Sequence, residues 1–318
     1  ALVQQNRTQE AVQMFRNALA GLGTNEARLA LGLSLVSLDR LDEAAIYLRE
    51  VVRTDAANGR ANLGLARIAA RQDRRTEAID YYNRAIVGTW PDSPAAREVE
   101  VRFELVGFLT RTGERTSAVA QLLQLQEEVT GDPAAQKRVA EQLSALGAFR
   151  QAADFYQAIL EQDSADGVAH RGLGQARFAL GDYAGALAAF KRASTLDPGD
   201  KVAAERLALC ERIVALDPTV RRLSMTERYA RSLKLVEGAL AAHDGCVALA
   251  DTALDESVSA LVERAKGVLA AKRRPPSLGD AIDGNIQLAT DLLHGARTRC
   301  PDGPYDQALS LVLAKLAG

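Results

Sequence analysis

An alanine recurs at a nearly fixed interval through much of the chain. The copies are Ala44, Ala78, Ala118, Ala152 and Ala186, so the successive intervals are 34, 40, 34 and 34 residues. One insertion explains the break in phase, and it falls in the turn-rich run 88–94, which contains two prolines. A fixed interval of this length predicts an array of small structural units that each pack only against their neighbours.

The run 167–200 shows what one unit contains. Two helices are predicted, from about 168 to 180 and from about 184 to 196. Gly181 suits the left-handed position after a helix, and Asp182 can accept hydrogen bonds from the free N–H groups of the next helix. Pro198 disfavours helix in the residue before it, so the second helix should end there. Neither helix is long enough to be stable alone, so packing against adjacent units has to stabilise both.

The order of residues in this run resembles the tetratricopeptide repeat, a unit of two antiparallel helices. The residues that carry the resemblance are Leu173, Gly174, Gly181, Asp182, Tyr183, Ala186, Phe190, Ala193, Asp197 and Pro198. The same register places repeats at about 25–58, 59–92, 99–132, 133–166 and 167–200, with a partial repeat at 1–24 and a following helix at 201–216. The resemblance implies an all-α, right-handed α-solenoid whose first helices line a concave groove.

Both ends of the array depart from this pattern. Near the start, residues 6–18 match a second helix, but only five residues precede them, so the first helix of that repeat is almost missing. Beyond 218 we predict helices at about 224–242, 247–271 and 278–299, followed by a tail that resembles the opening of a second helix. We therefore expect a solenoid over 1–218 and a helical C-terminal region over 219–318 that ends in a degenerate repeat.

The bulk composition excludes some partners. The chain has 318 residues and a formal net charge of −2, which gives no general attraction to nucleic acid. No run of about 18 apolar residues occurs, so nothing in the sequence is expected to span a bilayer. Membrane contact is expected only through a leader that this sequence does not contain. The sequence indicates no cofactor and no catalytic constellation, and we predict that the protein is not an enzyme.

The three cysteines suggest different roles. Cys210 falls within a predicted helix and is expected to be a small buried apolar residue. Cys246 and Cys300 are expected at helix ends in one small region, where a disulfide, two unpaired thiols or a metal site with His243 and His294 would each be consistent. A disulfide would close a loop of more than fifty residues and stabilise the fold by roughly 4 kcal/mol in the chain-entropy model.

Basic residues recur on the predicted groove face. By register they are Arg60, Arg67, Arg71, Arg111, Lys137 and Arg171. A solvated helix face would explain them, and so would a groove that selects an acidic peptide or protein surface. The leading hypothesis is therefore a protein–protein interaction scaffold that holds a segment of another protein in this groove.

Self-assembly is the alternative hypothesis. Uncovered apolar faces at the two ends would allow head-to-tail docking, which can propagate into a filament. The residues expected at these ends are Phe15, Leu19, Tyr305, Leu309 and Val312. A helix outside this sequence that covers the same face is the competing explanation. An enzymatic site near the C-terminal cysteines is the weakest alternative. The alanine N-terminus and a disulfide would favour an exported bacterial protein, with a cytoplasmic location left open.

Overall fold

The computed structural model describes residues 2–91, 94–250, 256–271, 275–303 and 305–317. Across these residues the secondary structure is α-helical, with 16 helices and no β-strand. The predicted all-α helical-repeat fold is therefore confirmed. Within the described ranges, none of the helices combines the length and the hydrophobicity that a bilayer-spanning segment needs.

The helices follow one another with short connections. Their bounds are α1 Leu2–Leu22, α2 Asn25–Ser37, α3 Leu41–Thr54, α4 Gly59–Arg71, α5 Arg75–Ile86, α6 Pro94–Arg111, α7 Arg115–Gln124, α8 Pro133–Ala145, α9 Phe149–Gln162, α10 Gly167–Ala179, α11 Tyr183–Leu196, α12 Lys201–Leu216, α13 Met225–Ala250, α14 Glu256–Ala270, α15 Leu278–Arg299 and α16 Gln307–Ala317.

The pair α10–α11 has the predicted geometry. Gly181 has a φ of +75°, and the side chain of Asp182 accepts a hydrogen bond from the N–H of Gly185 at 2.9 Å. Gly174 of α10 faces Phe190 of α11 so closely that a Cβ at this glycine would lie 2.8 Å from the ring. A small residue at this position is therefore what lets the two helices approach.

The chain forms two compact units, residues 1–148 and 149–318. In unit 1, leucines of α2, α3 and α4 form a buried core with Leu48 of α3 at its centre. A Cβ at Gly32 or at Gly64 would lie 2.7 Å from the Leu48 side chain. Glycines on two successive first helices therefore make room for one leucine of the second helix between them.

In unit 2, the long helices α13 and α15 pack along each other, and α16 packs against α12, α13 and α15. Their shared core also includes Tyr183 of α11 and Ile213 of α12. The hydrophobic core of this unit is thus continuous across residue 218, where we predicted that the solenoid would end.

Three predicted helix boundaries are wrong. Helix α13 runs to Ala250 instead of ending near 242, and α14 begins at Glu256 instead of near 247. Buried residues such as His243 and Cys246 hold this part of α13 in the core, so one helical glycine does not end the helix. At the other end, α1 is one helix of 21 residues without a turn near residue 5, since no glycine or proline interrupts its first twenty residues.

Candidate functional site

A cavity of about 360 Å³ lies in unit 1 between first helices of successive repeats. We call it the unit 1 cavity. Its main lining residues are Leu33 of α2, Arg60, Leu63 and Arg67 of α4, Trp90 of the inserted loop, and Arg97, Glu100 and Glu104 of α6. The spacings of three, four and seven residues along α4 and α6 put each set on one helical face.

The inserted loop forms one wall of this cavity. Trp90 is almost fully buried, and its indole N–H donates a hydrogen bond to the carbonyl oxygen of Ala85 at 3.0 Å. The N–H of Gly59 donates to the carbonyl oxygen of Thr89 at 3.1 Å, which ties the loop to the start of α4. A Cβ at Gly59 would lie 2.5 Å from the Trp90 ring. Residues 88–91 of the insertion that shifts the repeat phase are therefore part of the site.

An ion pair connects α4 and α6 at the cavity. The guanidinium of Arg67 donates two hydrogen bonds of 2.8 Å to the carboxylate of Glu104, and the hydroxyl of Tyr82 donates a third of 3.0 Å. Burial opposes ionisation of Glu104, but the hydrogen bond and charge of Arg67 outweigh it and lower the pKa of this carboxyl. Burial, together with Glu104, raises the pKa of Tyr82. The guanidinium of Arg67 is thus already bound to a carboxylate of the protein itself.

Arg60 differs from the other arginines of the cavity. Arg97 lies 2.8 Å from the carboxylate of Glu100, and Arg67 is paired with Glu104. Arg60 is exposed and forms no hydrogen bond or ion pair with any residue that the structure describes. It lies in the first turn of α4, where the helix dipole also favours a bound anion. Among the described residues that line the cavity, Arg60 is therefore the cation left available, and it lies beside apolar side chains.

The other predicted groove residues do not line this cavity. Arg71 donates to the carbonyl oxygen of Val36 at 2.7 Å, so it holds the end of α2. Arg111 is exposed near the end of α6, and Lys137 is half-buried on α8. Arg171 belongs to unit 2 and donates to Asp200 at 2.8 Å. Of the six predicted basic residues, the structure places only Arg60 and Arg67 in the cavity, where they are joined by Arg97 and Trp90, which we did not predict.

The residues predicted for the C-terminal associating end are mostly internal. Leu309 and Val312 are 2% and 0% exposed in the core of unit 2, so they form no free surface for association. The hydroxyl of Tyr305 lies 2.7 Å from the carbonyl oxygen of Ala296, to which it donates. Phe15 is half-buried against the core of α2 and α3. The side chain of Leu19 lies outside the described residues.

The C-terminal cysteines form a disulfide in the structure. Cys246 and Cys300 are joined with their Cα atoms 5.9 Å apart. Cys300 caps the end of α15, as predicted, whereas Cys246 lies inside α13 and not at a helix end. Cys210 is a buried free thiol, and burial raises its pKa to about 11. Within the described ranges, no three His, Cys, Asp or Glu side chains are grouped to hold a metal ion, and His294 is exposed.

The fold defines the class of the protein, which is an α-helical repeat protein built from pairs of antiparallel helices. A family model for the tetratricopeptide repeat matches residues 1–59, 29–94 and 140–201. The chain belongs to the tetratricopeptide repeat family through these segments, and the predicted resemblance is confirmed. No curated protein matches the chain.

Several solved structures are similar to parts of the chain. YrrB, which is described as a TPR protein with an unusual peptide-binding site, has 18% identity and a TM-score of 0.44, covering 61% of this chain and 98% of its own. MamA of AMB-1 has 23% identity and a TM-score of 0.39, covering 57% of this chain and 96% of its own. MamA 41-end from Desulfovibrio magneticus RS-1 has 18% identity and a TM-score of 0.36, covering 48% of this chain and 83% of its own.

Proposed function

We propose that the unit 1 cavity binds a segment of a partner protein that carries a carboxylate next to an apolar side chain. The tetratricopeptide repeat architecture supports a protein-interaction scaffold in general, and families built on it are generally non-enzymatic. The observation that carries the finer proposal is Arg60, which is exposed and has no partner among the described residues, in a cavity that Trp90 and Leu63 also line.

The chemistry of the lining explains the proposed preference. A guanidinium binds a carboxylate by charge-assisted hydrogen bonds, which are stronger than neutral ones. A hydrogen bond of this type contributes roughly 1.5–3 kcal/mol, which corresponds to about a 10- to 100-fold difference in affinity. The indole of Trp90 and the side chains of Leu33 and Leu63 offer apolar surface to the neighbouring ligand side chain.

A peptide selection with charge-reversal variants would test this proposal. Random short peptides would be selected on the wild-type chain, and the binding of the enriched peptides would be measured by fluorescence anisotropy. We expect Arg60→Glu to weaken these peptides by about 10-fold or more. Arg75→Glu is the control, because the exposed Arg75 also lies in the first turn of a helix, but on a second helix of a repeat, where it pairs with Asp73 and does not line the cavity.

The comparison of the two variants distinguishes a specific role of Arg60 from a general effect of net charge on binding. Equal binding to the wild type and to Arg60→Glu would contradict the role of Arg60. Loss of binding in both Arg60→Glu and Arg75→Glu would indicate a non-specific charge effect and would also contradict it. The circular dichroism of both variants should match the wild type, since an acidic residue is favourable in the first turn of a helix.

We also propose self-association, now restricted to the N-terminal end. Met14 is 70% exposed on α1 and neighbours the half-buried Phe15. Such an exposed apolar side chain could pack against a second copy of the chain. Light scattering over a range of concentrations should show an oligomer that Met14→Glu dissociates. A strictly monomeric wild type would overturn this proposal.

An oxidising compartment is a further proposal, and the Cys246–Cys300 disulfide supports it. Structural disulfides persist in secreted and periplasmic proteins and are rare in the cytosol. Thiol alkylation of the protein in intact cells, followed by mass measurement, should leave both cysteines unlabelled. Labelling of both would favour a reducing compartment.

A further inference from the structure

A second cavity, of about 550 Å³, lies in unit 2 between α13, α14 and α15. We call it the unit 2 cavity. The lining residues of α14 are four apart, at 264 and 268, and those of α15 fall on successive turns, at 280 and 281, 284 and 285, and 288, so each helix presents one face to it. The volume is within the range of small-molecule sites, and such sites combine apolar walls with a few convergent polar groups.

A buried amide of this cavity has an unused acceptor. Asn285 is 4% exposed, and its side-chain N–H donates to the hydroxyl of Ser232 at 3.0 Å. Its carbonyl oxygen accepts no hydrogen bond from any of the described residues. A donor group on a ligand in the cavity can therefore bind this oxygen without displacing a hydrogen bond of the protein.

Charged groups of both signs line the same cavity. Arg264 of α14 and Asp280 of α15 are exposed, and neither forms an ion pair with the other or with another residue in the described ranges. The hydroxyl of Tyr229 likewise has no hydrogen-bond partner there. Val268 and Leu288 add apolar side chains to the same lining.

We propose that the unit 2 cavity binds a small zwitterion with an apolar side chain, of the chemical class of a free amino acid. The ligand carboxylate would bind Arg264 and Tyr229, and the ligand ammonium would donate to Asp280 and to the carbonyl oxygen of Asn285. Its side chain would lie on Val268 and Leu288. This complementarity uses both charges and the unpaired acceptor, and it is independent of the function proposed for unit 1.

Three related probes test this proposal on the full chain. L-Phenylalanine carries both charges, N-acetyl-L-phenylalanine lacks the ammonium and L-phenylalaninamide lacks the carboxylate. In calorimetry we expect the zwitterion to bind at least about tenfold more tightly than either analogue, the equivalent of one lost charged contact. Arg264→Gln should remove the advantage of the zwitterion over the amide.

A cavity-filling variant locates the binding. A Cβ at Gly284 would meet no atom within 4 Å, and Gly284 lines the cavity, so Gly284→Leu should fill it and abolish binding. Gly279→Leu is the control on the same helix, because it also meets no atom within 4 Å but does not line the cavity. Absence of L-phenylalanine binding, equal binding of all three probes, or unchanged binding in Gly284→Leu would each overturn the proposal.

Discussion

The disulfide between Cys246 and Cys300 should supply much of the stability of unit 2. The two cysteines are 54 residues apart in sequence. In the chain-entropy model a loop of this length loses about 14 cal/mol/K of unfolded-state entropy, which corresponds to about 4 kcal/mol near room temperature. Since a whole domain is commonly stable by only about 5–15 kcal/mol, removal of this link should be easily measured.

The position of the two cysteines indicates that reduction should not rearrange the folded state. Cys246 is buried inside α13, and Cys300 caps α15, which packs along α13 through apolar side chains. The two thiols would remain at the same helix contact after reduction. We therefore expect a folded but less stable protein, because the change acts mainly on the unfolded chain.

Urea unfolding followed by far-ultraviolet circular dichroism is the appropriate assay. For an m-value of about 2 kcal/mol/M, reduction should lower the midpoint of the unit 2 transition by about 2 M. In the double variant Cys246→Ala/Cys300→Ala, the reductant should have no effect on the midpoint. A change below about 1 kcal/mol on reduction of the wild type would refute the loop-closure reasoning.

Three further predictions concern close contacts and charge. Gly172→Ala should destabilise the protein by about 1–3 kcal/mol in denaturant unfolding, because the new Cβ would overlap the ring of Tyr156. Gly59→Ala should displace the ring of Trp90, and a red shift in fluorescence would report it, since this is the one tryptophan of the chain. The lowered pKa of Glu104 contributes stability that is present above the ordinary value of 4.5 and is lost as the pH falls through the folded value, so Glu104→Gln should flatten acid-dependent unfolding curves.

Matched variants control for these changes. Gly245→Ala should be neutral or stabilising, because a Cβ there meets no atom within 4 Å and alanine favours helix. Gly107→Ala should leave the tryptophan fluorescence unchanged, since its Cβ would have only ordinary contact with Arg111. Glu100→Gln removes a carboxylate that lines the same cavity but pairs with Arg97 and not with Arg67, so a flattened acid curve in this variant would contradict the assignment to Glu104.

The repeat fold could be predicted because it depends on residue size at fixed positions. The recurring alanines are all 0% exposed in the structure, so a larger side chain at any of them would not fit between the helices. They are Ala44, Ala78, Ala118, Ala152 and Ala186. This size constraint produces a regular spacing of alanines in the sequence. The same spacing resumes after the insertion of several residues.

Helix ends in the C-terminal region were harder to predict, because local signals and tertiary packing disagree there. His243, Asp244 and Gly245 read as a helix end, since glycine and aspartate disfavour a helix interior. The buried face that includes Cys246 packs α13 into the core and outweighs this local preference. The sequence also contained one unused signal for the unit 1 cavity, because its single tryptophan falls in the insertion.

The electrostatics of the unit 1 cavity show why a basic groove could not be established from register alone. Arg60 and Arg67 lie on one face of α4, seven residues apart, and the repeat register predicts the same groove position for both. Arg67 faces Glu104 of α6, and the carboxylate of Glu104 neutralises the charge of this guanidinium within the protein. Arg60 has no such partner in the described residues. Which cation can bind a ligand is therefore decided by the facing helix, and for this reason Arg60, and not the summed positive charge, is the residue to change first.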